Sequence, residues 1–241
     1  MKNYKLKIQY DGTNYAGWQI QKNAVTVQEK IEDAIKILTK ENINLTASGR
    51  TDAGVHALGQ VANFRYEKEL NLYKFRHSLN SMLPSDIAIV EINEAEEKFH
   101  SRFDAKLRSY LYLICKIKSP FYGRFSIRKN NLDVDRLNYL SEEFSGTKDF
   151  TSFCRKNSDV ENKVCCVKSI HWRETKEFFL FNISADRFLH GMVRTIIGTL
   201  FYAAEKKMDR DFIDEIFRKK DRESAAEAVP AKGLFLYKVK Y

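Results

Sequence analysis

The order in which hydrophobic periodicity changes along the first 92 residues is the strongest constraint on the fold. Apolar residues alternate from Tyr4 to Tyr10, which predicts a half-buried strand. A helix is predicted after Thr26, because Thr26 and Glu29 form a capping box ahead of a helical apolar stripe. Further elements are predicted as strands at 43–47, 60–66 and 87–92 and a helix at 72–82. This β-α-β-β-α-β order is that of a split-βαβ, ferredoxin-like unit.

The second half of the chain repeats this order with looser spacing. Strands are predicted at 108–117, 164–172, 178–185 and 234–241, and helices are predicted after Asp133, at 189–204 and around Phe212. We therefore predict an α+β protein made of two ferredoxin-like halves, residues 1–100 and 101–241, with mixed or antiparallel sheets. A cleft between two such halves is a favoured place for a ligand.

Composition and charge narrow the class of protein. Of 241 residues, 44% are hydrophobic and only 3 are Pro, which excludes collagen-like and largely disordered chains. The net charge is +9 and is spread over both halves, which fits a long anionic ligand such as nucleic acid, although many basic proteins bind none. No stretch approaches the roughly 20 apolar residues of a membrane helix, and the N-terminus lacks a signal-peptide core. We expect a cytoplasmic protein with no membrane segment.

The four cysteines do not have the spacing of a metal site or of a disulfide framework. Cys165 and Cys166 are adjacent, Cys115 and Cys154 stand alone, and no C-x-x-C motif is present. We therefore expect free, mostly buried thiols and no metal.

A polar loop between apolar strands is the first candidate for chemistry. Residues 48–57 read Ser-Gly-Arg-Thr-Asp-Ala-Gly-Val-His-Ala, and the two glycines indicate a tight loop with exposed amides. Asp52 stands between Arg50 and His56, so a nearby cation would help to keep its carboxylate ionised. Taken alone, an Asp in such a loop is more often a turn former, and a His there is more often a packing residue than an acid or base.

Two further segments contain candidate functional residues. Tyr110 and Tyr112 alternate with apolar residues on a predicted strand that follows a basic segment, which suits the stacking of a nucleobase. A Tyr-rich strand that covers a core fits the pattern equally well. Arg194 lies among mostly apolar helix residues and would need an anionic partner if it is buried. Gly191 and Gly198 would let another segment approach this helix closely.

Together these segments resemble the TruA-type tRNA pseudouridine synthases. The resemblance is carried, in order and with comparable spacing, by residues 49–57, 99–114, 188–200 and the Val-Pro-Ala-Lys-Gly-Leu run at 229–234. It extends along essentially the whole chain. Ser101, Asp104 and Val229 depart from the residues usual in that family, and none of them stands where chemistry is required.

The resemblance implies a cofactor-free and metal-free isomerisation of uridine to pseudouridine in tRNA, typically at positions 38–40 of the anticodon stem-loop. It implies that Asp52 attacks the uridine, that Tyr110 stacks on the target uracil, and that Arg194 pairs with Asp52. The residues expected to bind the RNA or the substrate are Arg50, Thr51, His56, Arg102 and Arg108. The expected partners are tRNA and a second copy of the chain in a homodimer, with no small-molecule cofactor.

Three alternatives stay open at this point. The chain could be a non-catalytic protein of the same fold that binds structured RNA, although the complete set of Asp52, Tyr110 and Arg194 argues against this. It could be a carboxylate-based glycosidase that releases free uracil, or a pseudouridine synthase for a different RNA. If the RNA keeps its mass while uridine is converted, the glycosidase is excluded. Mapping of the modified uridines would identify the RNA.

Overall fold

Two long antiparallel strands organise the sheet of the N-terminal part of the chain. In this computed structural model, which describes residues 1–156 and 160–241, the first elements are β1 (Lys2–Tyr10), α1 (Val27–Thr39), β2 (Thr46–Ala47), β3 (His56–Tyr66), α2 (Leu72–Met82) and β4 (Ile87–Ala95). The strands lie in the order β4-β1-β3-β2, and every neighbouring pair is antiparallel. The predicted succession of strands and helices is confirmed here, although β2 is shorter than predicted.

Alternation along β1 decides which side of this sheet is buried. Its apolar residues are buried while those between them carry polar side chains, and the buried set is Tyr4, Leu6, Ile8 and Tyr10. Helix α1 begins as predicted, because the Thr26 side chain accepts a hydrogen bond from the Glu29 amide. Its buried residues Val27, Ile31 and Ile35 have the spacing of one helix face.

The second part of the chain has its own sheet and helices. Its elements are β5 (Leu107–Cys115), β6 (Ile127–Arg128), α3 (Val134–Ser141), β7 (Gly146–Asp149), β8 (Val164–Glu174), β9 (Phe178–Ala185), α4 (Met192–Glu205) and α5 (Arg210–Lys219). Strands β5-β9-β8-β7 are antiparallel neighbours, and the short β6 pairs in parallel with β5. Trp172 packs in this core against Phe181 and Phe201, and its indole N–H donates to Ser141 at 3.0 Å.

The last strand, β10 (Leu234–Lys240), corrects the predicted domain boundary. It pairs in parallel with β3, with Phe235 opposite His56. The chain accordingly divides into two units, Met1–Lys106 with Phe235–Tyr241, and Leu107–Leu234. The predicted halves, 1–100 and 101–241, assigned this strand to the second one, because a lone C-terminal strand carries no signal for its pairing partner. The parallel pair also makes the sheet mixed, within the predicted α+β class.

The structure differs from the predicted elements in three further places. Strand β3 begins at His56 rather than at residue 60, so that His56 belongs to a strand and not to the preceding loop. Strands β6 and β7 have two and four residues, too few to show a period in the sequence. Within the described residues, no helix is long and apolar enough to cross a membrane.

Candidate active site

Residues 48–55, which we call the Asp52 loop, connect β2 to β3. Asp52 is half-buried, and its carbonyl accepts the Val55 amide at 3.1 Å, which closes a turn around the carboxylate-bearing residue. Arg50 is exposed, whereas Thr51 between them is buried. The loop therefore presents one cation to solvent while it holds its own main chain in place.

The main chain of the Asp52 loop is docked onto the segment that follows β1. The Trp18 amide donates to the Thr51 carbonyl at 3.1 Å, and the Gly54 amide donates to the Tyr15 carbonyl at 3.3 Å. Gly17 has φ +103°, and a Cβ at this position would lie 2.5 Å from the Thr51 carbonyl oxygen. Only glycine allows this approach, since both the backbone angle and the space exclude a side chain.

One tyrosine hydroxyl bonds the loop itself, and another holds the segment on which the loop is docked. The Tyr10 hydroxyl and the Thr51 hydroxyl are 2.8 Å apart in a buried hydrogen bond. Tyr15 donates to an Asp86 carboxylate oxygen at 2.5 Å, and the Asp86 carbonyl in turn accepts the Asp11 amide. Burial, followed by the Asp86 carboxylate, raises the pKa of Tyr15 well above its ordinary value, so its hydroxyl stays a donor at neutral pH.

His56 is buried and supports the loop. Its side chain is 1% exposed, and its ring stacks on Phe235 with centroids 4.7 Å apart. Nδ1 accepts the Gly12 amide at 3.0 Å and also lies 3.0 Å from an Asp11 carboxylate oxygen. A side chain so enclosed supports the loop, and the contact of His56 with RNA stays a prediction.

Thr51 is enclosed in the same way, and the predicted arginines differ from it in exposure. Thr51 is 7% exposed and its hydroxyl bonds Tyr10, so it positions the loop, and its contact with a ligand stays a prediction. Arg102 is exposed, with its guanidinium carbon 5.7 Å from the centre of the Phe103 ring, which is itself 76% exposed. Arg102 and Arg50 are therefore accessible to RNA phosphates.

In the second unit, Tyr110 lies half-buried on β5. Its ring meets Phe188 edge-on, with centroids 5.0 Å apart and planes at 87°, which fixes the ring orientation. Two residues earlier, an Arg108 Nη donates to the Asp186 carbonyl at 2.6 Å. Arg108 therefore has a structural contact besides the RNA contact predicted for it.

Tyr112 is a core residue, so the structural interpretation of the Tyr-rich strand is correct at this position. It is 0% exposed, and its hydroxyl donates to the Pro230 carbonyl at 2.8 Å. Burial raises its pKa, against a smaller opposing effect of the Arg194 charge. A Cβ on Gly233 would lie 2.7 Å from the Tyr112 ring, so this glycine lets the residues before β10 pass over the tyrosine.

Arg194 is half-buried in the first turn of α4 and holds the same segment. Its Nε donates to the Val229 carbonyl at 2.7 Å, and the Val229 amide donates to the Arg194 carbonyl at 3.2 Å. A Cβ on Gly198 would lie 1.9 Å from the Glu227 carbonyl oxygen, which confirms the predicted close approach. The same prediction is wrong for Gly191, where an added Cβ would meet no heavy atom of the described residues beyond its chain neighbours within 4 Å, and the glycine instead supplies φ +74° ahead of the helix.

Sequence reasoning missed the residues that hold the Asp52 loop. The sequence places Tyr10 on a strand and marks no function for it, and it does not single out Tyr15, Trp18 or Asp86. One signal was available: the connection between β1 and α1 runs from Asp11 to Thr26, and so long a connection is usually functional.

The described residues contain no group of three or more His, Cys, Asp or Glu side chains that could hold a metal ion. The four cysteines are free, and three of them are buried, as predicted. Burial raises the pKa of Cys165 to about 12, whereas hydrogen bonds from Thr147 and Lys168 lower the pKa of the more accessible Cys166.

Comparison with known proteins identifies the family. The model of the tRNA pseudouridine synthase family matches residues 7–104 and 140–241. The tRNA pseudouridine synthases A of Acetivibrio thermocellus and Thermoanaerobacter sp. (strain X514) are 41% and 38% identical to this chain over 244 residues, with complete coverage of both chains in each case. The chain therefore belongs to the tRNA pseudouridine synthase family, whose members are isomerases that convert uridine to pseudouridine in tRNA.

Similarity to solved structures is more remote. An H/ACA ribonucleoprotein bound to a substrate RNA containing 2′-deoxyuridine is 12% identical, with a TM-score of 0.39. That match covers 82% of this chain and 43% of the other. It is too distant to bear on the site.

Proposed function

We propose that this protein forms pseudouridine in the anticodon stem-loop of tRNA, at positions 38–40, with Asp52 as the group that attacks the uridine. In the net reaction the bond from the sugar C1′ to N1 of uracil breaks, and a bond from C1′ to C5 forms. The proton on C5 is released and N1 gains one, so no oxidant, reductant or cofactor is required. The reaction needs a fixed carboxylate, a held base and a bound RNA.

The observation that carries this proposal is the support of the Asp52 loop. A nucleophile gains most when its position is fixed before the substrate arrives. Main-chain bonds from Trp18 and Gly54, together with the Tyr10 hydroxyl, hold the residues on both sides of Asp52. Such a loop exceeds what a simple turn former needs, which weighs against the structural interpretation of Asp52.

We assign Arg194 as the cation that keeps Asp52 ionised. A carboxylate nucleophile must be charged, and a guanidinium within about 4–6 Å lowers a carboxyl pKa by roughly 1–3 units. The bond from Nε to the Val229 carbonyl orients the guanidinium, which supports a role that depends on direction as well as charge.

We assign Tyr110 as the surface on which the extruded uracil stacks. Removal of a base from a stem costs a few kcal/mol, and stacking on an aromatic ring returns about 1–3 kcal/mol. The edge-on contact with Phe188 supports this role, because a ring with a fixed orientation loses little entropy when a base stacks on it.

The remaining assignments concern the RNA and the assembly. We propose that two ferredoxin-like halves flank an RNA-binding cleft, with Arg50, Arg102 and Arg108 positioned to contact phosphates. The protein would act in the cytoplasm as a homodimer with tRNA as its partner. The net charge of +9 supports an extended polyanion as the ligand.

The test is the Asp52→Ala variant, assayed for pseudouridine in tRNA and, separately, for tRNA binding. We expect product formation to fall by about a thousandfold or more, while affinity changes little. Equal loss of activity and affinity would instead assign Asp52 to binding or folding. Release of free uracil by the wild-type protein would indicate the glycosidase, and modification outside tRNA would redirect the substrate assignment.

A further inference from the structure

A basic recess of about 350 Å³ lies in the second unit, beside the end of β5. Three cations line it, Lys118, Arg128 and Lys232, together with the hydroxyl-bearing Ser119 and Ser126. Among the described residues, no carboxylate lines it. This is a concave surface of one sign of charge, which concentrates the field on an anionic ligand.

Two of these cations have no partner within the described residues. Lys118 and Arg128 are both exposed, and neither forms an ion pair there. The neighbouring Lys116 is different, since it is paired with Glu174 and stands over the Phe179 ring. Lys116 therefore has a structural role, whereas the charges of Lys118 and Arg128 point to a ligand.

The recess is built into the fold. Arg128 stands opposite Cys115 in the parallel pairing of β6 with β5. The Ser126 hydroxyl donates to the Tyr122 carbonyl at 2.7 Å, and the Tyr122 hydroxyl donates to Glu177 at 2.8 Å. These contacts fix the residues that line the recess, so that few side chains would have to be ordered when a ligand binds. Binding there would therefore cost little conformational entropy.

Lys232 also connects the recess to residues 229–233, the segment that Arg194 and Tyr112 hold. Lys232 donates to the Gly123 carbonyl at 3.0 Å, and Lys232 lies two residues after Pro230, which accepts the Tyr112 hydroxyl. The recess therefore shares one anchored segment with the residues described for the active site.

An exposed aromatic side chain lies in the same loop as Lys118, three residues further along the chain. Phe121 is 83% exposed, between Ser119 and Gly123 in the chain. An exposed aromatic ring in a loop that also carries cations is a common combination for binding nucleic acid, because every base has a face that stacks. A partner protein surface would instead favour a continuous apolar patch.

We propose that this recess binds the ribose-phosphate backbone of tRNA away from the reacting uridine, with Lys118 and Arg128 on phosphates and Phe121 stacked on a base. The proposal rests on the proposed function only for the identity of the RNA. These contacts position the tRNA without reading its sequence. They add to affinity and leave the chemical step unchanged.

The test measures binding of an unmodified tRNA transcript as a function of salt. In the Lys118→Ala/Arg128→Ala variant, we expect affinity to fall about tenfold and the slope of log affinity against log salt to decrease by about 1.5. The control is Arg173→Ala/Lys206→Ala, which removes the same charge from exposed positions on β8 and at the end of α4. The exchange Lys118→Arg/Arg128→Lys keeps both charges and should retain wild-type affinity.

Phe121→Ala separates stacking from charge, because it should weaken binding several-fold at an unchanged salt slope.

The proposal is overturned if the Lys118→Ala/Arg128→Ala variant matches its control in affinity and slope. It is also overturned if the charge-preserving exchange loses affinity to the same extent. An Asp52→Ala variant that remained active would contradict the proposed function and leave this binding result intact.

Discussion

The Asp52 loop and the loop around the basic recess, residues 116–128, are held in contrasting ways. Backbone amides and carbonyls of neighbouring segments fix the Asp52 loop, and Gly17 packs against it without space for a side chain. In the recess loop, the main-chain pairing of β6 with β5 holds one end, and the residues before it are held by the side chains of Ser126, Tyr122 and Lys232. It also exposes Phe121 and two cations that have no partner among the described residues.

This difference fits the functions that we propose for the two loops. A reacting carboxylate must be placed within fractions of an ångström, and main-chain contacts give that precision because they have no rotamers. Phosphate contacts tolerate displacement, since the field of a cation falls off gradually. We therefore expect the Asp52 loop to be intolerant of small changes in shape, and the recess loop to be sensitive to charge.

Glycine substitutions give the largest predicted contrast. Gly17→Ala places a Cβ 2.5 Å from the Thr51 carbonyl at φ +103°, so we expect a loss of about 2–3 kcal/mol in unfolding free energy and little remaining activity. Gly123→Ala meets only the Ser119 carbonyl at 3.6 Å and should stay within about 0.5 kcal/mol of wild type. Urea unfolding and pseudouridine assays check both. Equal effects at the two positions would remove the contrast.

Removal of single hydroxyls gives a smaller contrast. Tyr10→Phe deletes the hydrogen bond to Thr51, which should cost about 1 kcal/mol of stability and lower kcat several-fold with little change in KM. Tyr122→Phe deletes the bond to Glu177 in the recess loop and should leave kcat unchanged. Steady-state kinetics on tRNA separate these outcomes. A fall in kcat for Tyr122→Phe as large as for Tyr10→Phe would show that both loops act on the chemical step.

Alkaline pH gives an effect on stability alone, with no change in kcat expected at neutral pH. Burial and Asp86 raise the pKa of Tyr15 above its unfolded value, so its contribution to stability is full below about pH 10 and declines as pH rises further. Between pH 9 and 11 we expect wild-type unfolding free energy to fall by about 1 kcal/mol more than that of Tyr15→Phe. Urea unfolding across this range measures it. Parallel curves would mean that Tyr15 is not held as a protonated donor.

The sequence predicts best where one local pattern decides the outcome. Helix α1 begins at the predicted capping box, and β9 spans the predicted residues, because a cap or a period of two is visible within a few positions. The candidate residues Asp52, Tyr110 and Arg194 were identified in another way, through the resemblance of their segments to a known family.

The missed features depend on contacts between residues far apart in the chain. Nothing local marks Tyr10 as the partner of Thr51, since 41 positions separate them. The same reason accounts for β10, whose parallel pairing with β3 joins the C-terminus to the first unit. His56 is covered by Phe235, which lies at the other end of the sequence. The residues around His56 therefore give no sign that its side chain is buried.

The most direct test of the central claim is the pH dependence of kcat/KM in the Arg194→Met variant, with Arg194→Lys as the control that keeps the charge. If Arg194 keeps Asp52 ionised, its loss raises the pH at which the carboxylate gains a proton. The acidic limb of the profile then moves upward by about 1–3 pH units, and less in Arg194→Lys. Folding should change by only about 1 kcal/mol, since the variant loses the bond to Val229. A profile lowered equally at every pH, with its acidic midpoint unmoved, would contradict the pairing.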